Sequence, residues 1–118
     1  MTTLMVATGG LFGVMSRYGL TRLTLHHESL LWTTAAINIS GSFVLGLLTA
    51  SGWFSREVRE GLGVGFLGGF TTFSTLSVQV VLDVDAGEPR RAAGYLVLSV
   101  AGGLIAATAG YILGRRFA

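Results

Sequence analysis

The chain has 118 residues, 51% of them hydrophobic and 12% charged, with a mean hydropathy of +0.67. So few charges cannot give a soluble domain of this size its polar surface. Absence of cysteine excludes a disulfide framework or thiolate metal site, and the pI of 9.7 comes from eight scattered arginines, which excludes a clustered nucleic-acid footprint.

Four blocks, at roughly 2–25, 29–51, 61–82 and 92–114, are apolar and close to free of charge. Each has about the 20 residues that a transmembrane helix requires. The first carries Arg17 and Arg22 and lacks a basic leader, so it reads as a span and not as a cleavable signal. Gly9, Gly13 and Arg17 recur in it at intervals of four. The connection TLHHES places His26 beside His27, a poor geometry for holding one metal ion. In the second block Asn38, Ser42 and Gly46 repeat the interval of four, and Trp32 and Trp53 lie near its ends, as in an aromatic belt. Small residues at that interval let helix backbones approach in lipid, where apolar side chains gain nothing from preferring one another.

The third block contains GFLGGFTTFSTLS at 65–77. Gly68 and Gly69 weaken helix support, and Thr71, Thr72, Ser74 and Thr75 offer backbone groups alternative partners. Two readings stand side by side. The helix breaks here and lines a polar cavity, where freed carbonyls suit a cation and freed amides and hydroxyls suit an anion; or it runs unbroken and the glycines and threonines serve packing. The fourth block follows Pro89 and carries Gly102, Ala106, Gly110 and Gly114, with Tyr111 near its end.

With four spans, Arg56, Arg59, Arg115 and Arg116 fall on one side of the bilayer, and Arg17, Arg22, Arg90 and Arg91 on the other. A balance of four against four gives no basis for choosing an orientation. A further signal fixes one orientation, or the chain inserts both ways up, which permits an antiparallel two-fold dimer.

The third-block run, with NISGSF at 38–43 and GGLFGVMSRY at 9–18, resembles the Fluc (CrcB) family of fluoride channels along the whole chain. The resemblance implies an all-α integral membrane fold of four transmembrane helices, the third broken at the membrane centre, in an antiparallel dual-topology homodimer with two pores. It implies a multi-pass protein of a prokaryotic cell membrane that lets cytoplasmic fluoride leave passively, and no enzyme. A structural sodium ion on the dimer axis would take backbone carbonyls of Gly68 and Thr71. Asn38 would donate to fluoride, and the ring edge of Phe73 would face it. Thr72, Ser74, Thr75, Tyr95 and Ser99 would supply a polar track, with Gly103 where the family usually has another hydroxyl. Arg17 would sit at the mouth of a watery vestibule. Leu76 stands where the family usually has a second phenylalanine, and Gln79 where it usually has an acid. Those departures leave open a heterodimer with a diverged paralogous subunit. The partners implied are fluoride, the lipid bilayer and a second copy of the chain, with no nucleic acid.

Two rival readings remain. A dual-topology proton-coupled cation exporter needs a carboxylate within the membrane, yet all six acids, Glu28, Glu57, Glu60, Asp83, Asp85 and Glu88, fall in connections or at span edges. A non-transporting assembly subunit would need neither Asn38 nor Phe73.

Overall fold

A computed structural model describes residues 1–24 and 26–118, apart from the side chain of His27. The adjacent-histidine pair therefore lies partly outside the described residues. The described chain is all helical. Helix α1 spans Thr2–Arg22 and α2 spans His27–Ala50. Short α3, Arg56–Glu60, is capped by the Ser55 hydroxyl, which accepts from Val58 N–H. It runs into a π-helical segment, Gly61–Leu67, and then into α4, Gly68–Phe70. Thr71 and Thr72 take extended backbone angles, and the helix resumes as α5, Phe73–Asp85. Helix α6 spans Pro89–Arg115.

Among the described residues, three helical stretches are long and apolar enough to cross a membrane: Glu28–Ala50, Arg56–Asp85 and Pro89–Arg115. Helix α1 is outside that set, because Arg17, Arg22 and its threonines and glycines lower its hydropathy. The molecule measures 48 × 28 × 19 Å, and its long axis is close to a bilayer's full thickness of about 40–45 Å. Phe12, Val64, Phe73, Val97, Leu104 and Ile105 are exposed, whereas Thr34, Gln79, Asp83 and Ser99 are buried. That inversion suits a solvent of lipid or a partner's apolar face.

Glycine decides how the helices pair. The π segment and α4 lie against α1, while α2 lies against α6. A methyl group at Gly13 would sit 2.0 Å from Phe66 O, and one at Gly110 would sit 2.0 Å from Phe43 O. Both contacts are with backbone, which cannot step aside. The interval of four residues thus marks backbone-to-backbone seams in α1 and α6. Beyond the break the third helix changes partners, and α5 packs on α6 and α2. The interruption therefore falls where one helix leaves one neighbour for another.

The turn from α5 to α6 is fixed by local chemistry. Gly87 takes φ +78°. Glu88 N–H donates to Asp83 O at 2.8 Å and Gly87 N–H to Val84 O at 3.0 Å, closing the α5 carbonyls in a Schellman arrangement. Pro89 then opens α6, where a missing N–H costs nothing. The tight turn brings Arg91 onto the buried Asp83 through two bonds, Nε to Oδ2 at 3.0 Å and Nη2 to Oδ1 at 2.9 Å. Arg91 Nη1 also donates to Glu28 Oε1 at 2.9 Å, which ties α2 to the same end of the bundle.

Gly110→Val should force the α2–α6 seam apart and lower stability by about 1–3 kcal/mol, as overpacking does elsewhere. Thermal unfolding in detergent should register that loss, while Gly94→Ala, at a helical position with open space around it, should hold or raise the midpoint.

Candidate functional site at the helix break

The break is bridged from α2. Asn38 Nδ2 donates to Thr72 O at 2.9 Å, and Asn38 Oδ1 accepts from Thr72 N–H at 2.8 Å. One side-chain amide therefore satisfies both backbone groups of a residue with no helical partner. A primary amide has two N–H donors, and this pairing engages one of them. Thr72 then caps α5: its Oγ1 accepts from Thr75 N–H at 3.2 Å, donates to Thr75 Oγ1 at 3.1 Å and lies 3.3 Å from Ser74 Oγ. On the other side of the break, Thr71 N–H and Thr71 Oγ1 both donate to Leu67 O at 2.9 Å.

These bonds redirect the helical ladder. In a continuous helix Gly68 O would receive Thr72 N–H, and Thr71 O would receive Thr75 N–H. Here the first goes to Asn38 Oδ1 and the second to Thr72 Oγ1. The two carbonyls have thus lost their ordinary donors. Between them in sequence, Gly69 O accepts from Arg17 Nε at 3.1 Å. Arg17 follows Gly9 and Gly13 on the face of α1 toward the third helix, and its charge sits at the negative end of α4.

A cavity of ≈ 230 Å³ opens beside the break, lined by Asn38, Ser42, Thr71, Thr72, Phe73, Leu76, Ser99 and Val100. Among the described residues, no ionisable side chain lines it. Ser99 is buried, and its Oγ has no hydrogen-bond partner among the described residues. Ser42 Oγ is already bonded to Asn38 O at 2.7 Å. The start of α5, with its outward N–H groups and positive dipole end, faces the same region. The cavity thus offers neutral donors without a fixed charge, a setting that suits a small anion better than a cation.

Asn38, Thr72, Phe73, Leu76 and Ser99 meet around this cavity. Phe73 turns outward, 75% exposed in the single chain. Leu76 is buried and joins a cluster with Leu31, Ala35 and Tyr95. Ser74 and Thr75 cluster on the Thr72 hydroxyl and do not line the cavity. Tyr95 lies apart from it. Its hydroxyl donates to Gln79 Oε1 at 2.5 Å, and Gln79 Nε2 donates to Thr34 Oγ1 at 3.2 Å. Sequence reasoning missed Thr34, which carries no local signal. It also missed the steric role of Gly41, where a methyl group would meet Thr71 Cγ2 at 2.4 Å; the small-residue run NISGS was the available hint. No group of three or more His, Cys, Asp or Glu side chains gathers around a common point among the described residues.

Residues 4–111 match the family model described as CrcB-like protein, Camphor Resistance (CrcB). The chain is 42% identical over 116 residues to a fluoride-specific ion channel FluC of Thermus thermophilus, covering 94% of this chain and 93% of that one. It is 38% identical over 116 residues to fluoride-specific ion channel FluC 2 of Moorella thermoacetica, covering 95% of each. Against a fluoride-specific ion channel FluC 1 of Bacillus cereus it is 40% identical over 119 residues, covering 94% of this chain and 81% of that relative.

Asn38→Ala should leave the Thr72 N–H and C=O without partners and cost about 1–3 kcal/mol. Hydrogen exchange should report it locally: the Thr72 amide should lose protection in the variant while amides within α6 keep theirs.

Proposed function

This chain belongs to the CrcB family of multi-pass membrane proteins, and on that premise we propose that it is a passive fluoride-selective channel through which cytoplasmic fluoride leaves the cell. It carries out no covalent chemistry. The observation that carries the reading is the carboxylate-free cavity at the helix break, where Asn38 retains an N–H and the buried Ser99 hydroxyl is uncommitted. Fluoride is small and strongly hydrated, so a dehydrating path must return hydrogen-bond donors to it. Neutral donors do so without the deep well that a lysine would create. A phenylalanine edge carries positive quadrupole potential, and the outward ring of Phe73 could present it to an ion at the cavity's mouth.

In this reading α1 is a fourth span, and the unit is an antiparallel homodimer with two pores. The even division of arginines supports insertion both ways up, and the exposed apolar side chains give a second copy a surface to cover. A sodium ion on the dimer axis fits the residues present, because Gly68 O and Thr71 O have had their helical donors drawn away. Carbonyl dipoles replace the hydration shell of a monovalent cation, so bound sodium would supply a fixed structural charge between the subunits. Arg17 serves the anion by its long-range field at a vestibule while it closes Gly69 O. Against proton-coupled cation export stands the state of the acids: Asp83, fully buried, is gripped bidentately by Arg91, and no acid lines the break.

Liposomes holding the purified protein should release fluoride and not chloride once charge flow is compensated by an ionophore. Equal chloride release would remove the selectivity, and no release of either would remove the channel. Phe73→Ile and Asn38→Ala should each abolish most of the flux while cross-linking still recovers the dimer; full flux from both would remove these two residues from the ion path.

A further inference from the structure

A second polar system lies in the half of the bundle that holds the α5–α6 turn. Tyr95, Gln79 and Thr34, on α6, α5 and α2, are all buried. The tyrosine proton is directed at Gln79 Oε1, and Gln79 Nε2 is anchored on Thr34 Oγ1. One turn along α6 from Tyr95, roughly 6 Å, stands Ser99, whose hydroxyl has no partner among the described residues and lines the cavity at the break. On its other side Tyr95 lines a hollow of ≈ 360 Å³ with Glu28 and Arg91, at the end of the bundle. Tyr95 therefore stands between the central cavity and that end. In the channel reading, an anion leaving the central cavity toward that end would pass Tyr95.

A phenol has one proton. While that proton is bonded to Gln79, Tyr95 presents only lone pairs to anything passing, and lone pairs do not bind an anion. A glutamine suits this task because it accepts at one end and donates at the other: with Nε2 on the Thr34 hydroxyl, Oε1 faces the tyrosine. We propose that Gln79 is a positioning residue of the ion path: it keeps the Tyr95 proton turned away from the anion, so that Ser99 is the hydroxyl donor α6 offers along this stretch. The inference rests on the channel reading for its consequence in flux, but the bond itself is measurable without fluoride.

The ring vibrations of tyrosine distinguish a donating from an accepting hydroxyl. A Raman difference spectrum, wild type minus Y95F, should give the signature of a strong donor, and in Q79L that signature should be lost. An accepting Tyr95 in the wild type, with Nε2 donating to it, would overturn the proposal whether or not the protein conducts. In liposomes, Q79L should free the proton to bind the ion, lowering the half-saturating fluoride concentration by roughly tenfold, as one hydrogen bond to a charged group would, and lowering maximal flux with it. In a Y95F background the same Q79L change should produce no such shift. Equal shifts in both backgrounds would mean that Gln79 acts by another route, and the proposal fails. Should Q79L not fold, T34V tests the same point: it removes the anchor while keeping the volume, and should move both readouts in the same direction to a smaller extent. Unchanged readouts in T34V would also overturn it. Absence of flux from the wild type would defeat the channel reading and leave the Raman result to decide the bond.

Discussion

Two hydrogen bonds between the Asn38 side chain and the Thr72 backbone make the rest of the site possible. A helix in lipid cannot stop halfway, because each exposed N–H and C=O costs several kcal/mol without water. The interruption survives only because its polar groups are met by side chains. Asn38 meets Thr72, the Thr72 hydroxyl meets the Thr75 N–H, and Arg17 meets Gly69 O. Two of these partners come from other helices, α2 and α1, so the break is stable only once the bundle has assembled. The close glycine seams of α1 and α6 are therefore part of the site: they set the helix positions that bring Asn38 and Arg17 within reach.

The glycine pair and the hydroxyl run made the break legible in the sequence, since both features weaken a helix at one place. Residues on the two sides of the cavity, Asn38 and Ser99, were legible through the family pattern. The π-helical stretch was not. Its glycines at 61, 63 and 65 form no motif for a wider turn; Gly61 and Gly65 meet α1, where a methyl group at Gly65 would sit 2.6 Å from Val6 O, and Gly63 meets Leu45 of α2. Nor could the sequence tell what Tyr95 faces. A spacing of four places Tyr95 and Ser99 on one face of α6, yet the tyrosine ring enters the Leu76 cluster and its hydroxyl finds Gln79. Such pairings depend on helix rotation and on a residue in a distant segment, Thr34, that has no motif of its own.

Leu76 illustrates how a departure from a pattern is absorbed. It lines the cavity and also fills the core against Leu31, Ala35 and Tyr95. A leucine there supplies apolar volume without an electropositive edge. In the channel reading the ion then depends more on the Asn38 amide and the hydroxyls, and less on rings. Gln79 is absorbed differently. Its neighbour one turn on, Asp83, already bears a negative charge compensated by Arg91. A second carboxylate one turn away in the same dry region would repel the first. A neutral amide avoids that repulsion and still makes two hydrogen bonds.

The placement of charge follows one logic throughout. Fixed charges lie at the ends or are tied down: Asp83 with Arg91 and Glu28 at one end, Arg56 with Glu60 on α3, and Arg17 on a carbonyl at the break. The middle is left to dipoles. A lysine or arginine side chain projecting into the Asn38 cavity would bind an anion strongly in so low a dielectric and release it slowly, whereas conduction needs binding strong enough to admit the ion and weak enough to let it go. Amide and hydroxyl donors fall in that range, and each must be uncommitted to serve. Hence the pattern of engaged and unengaged groups matters more than the number of polar atoms. Ser42 and Thr71 are polar but already donate to backbone carbonyls, while Ser99 and one Asn38 N–H are available. The donors that can trade places with water around an ion are the few that the fold has left without another duty.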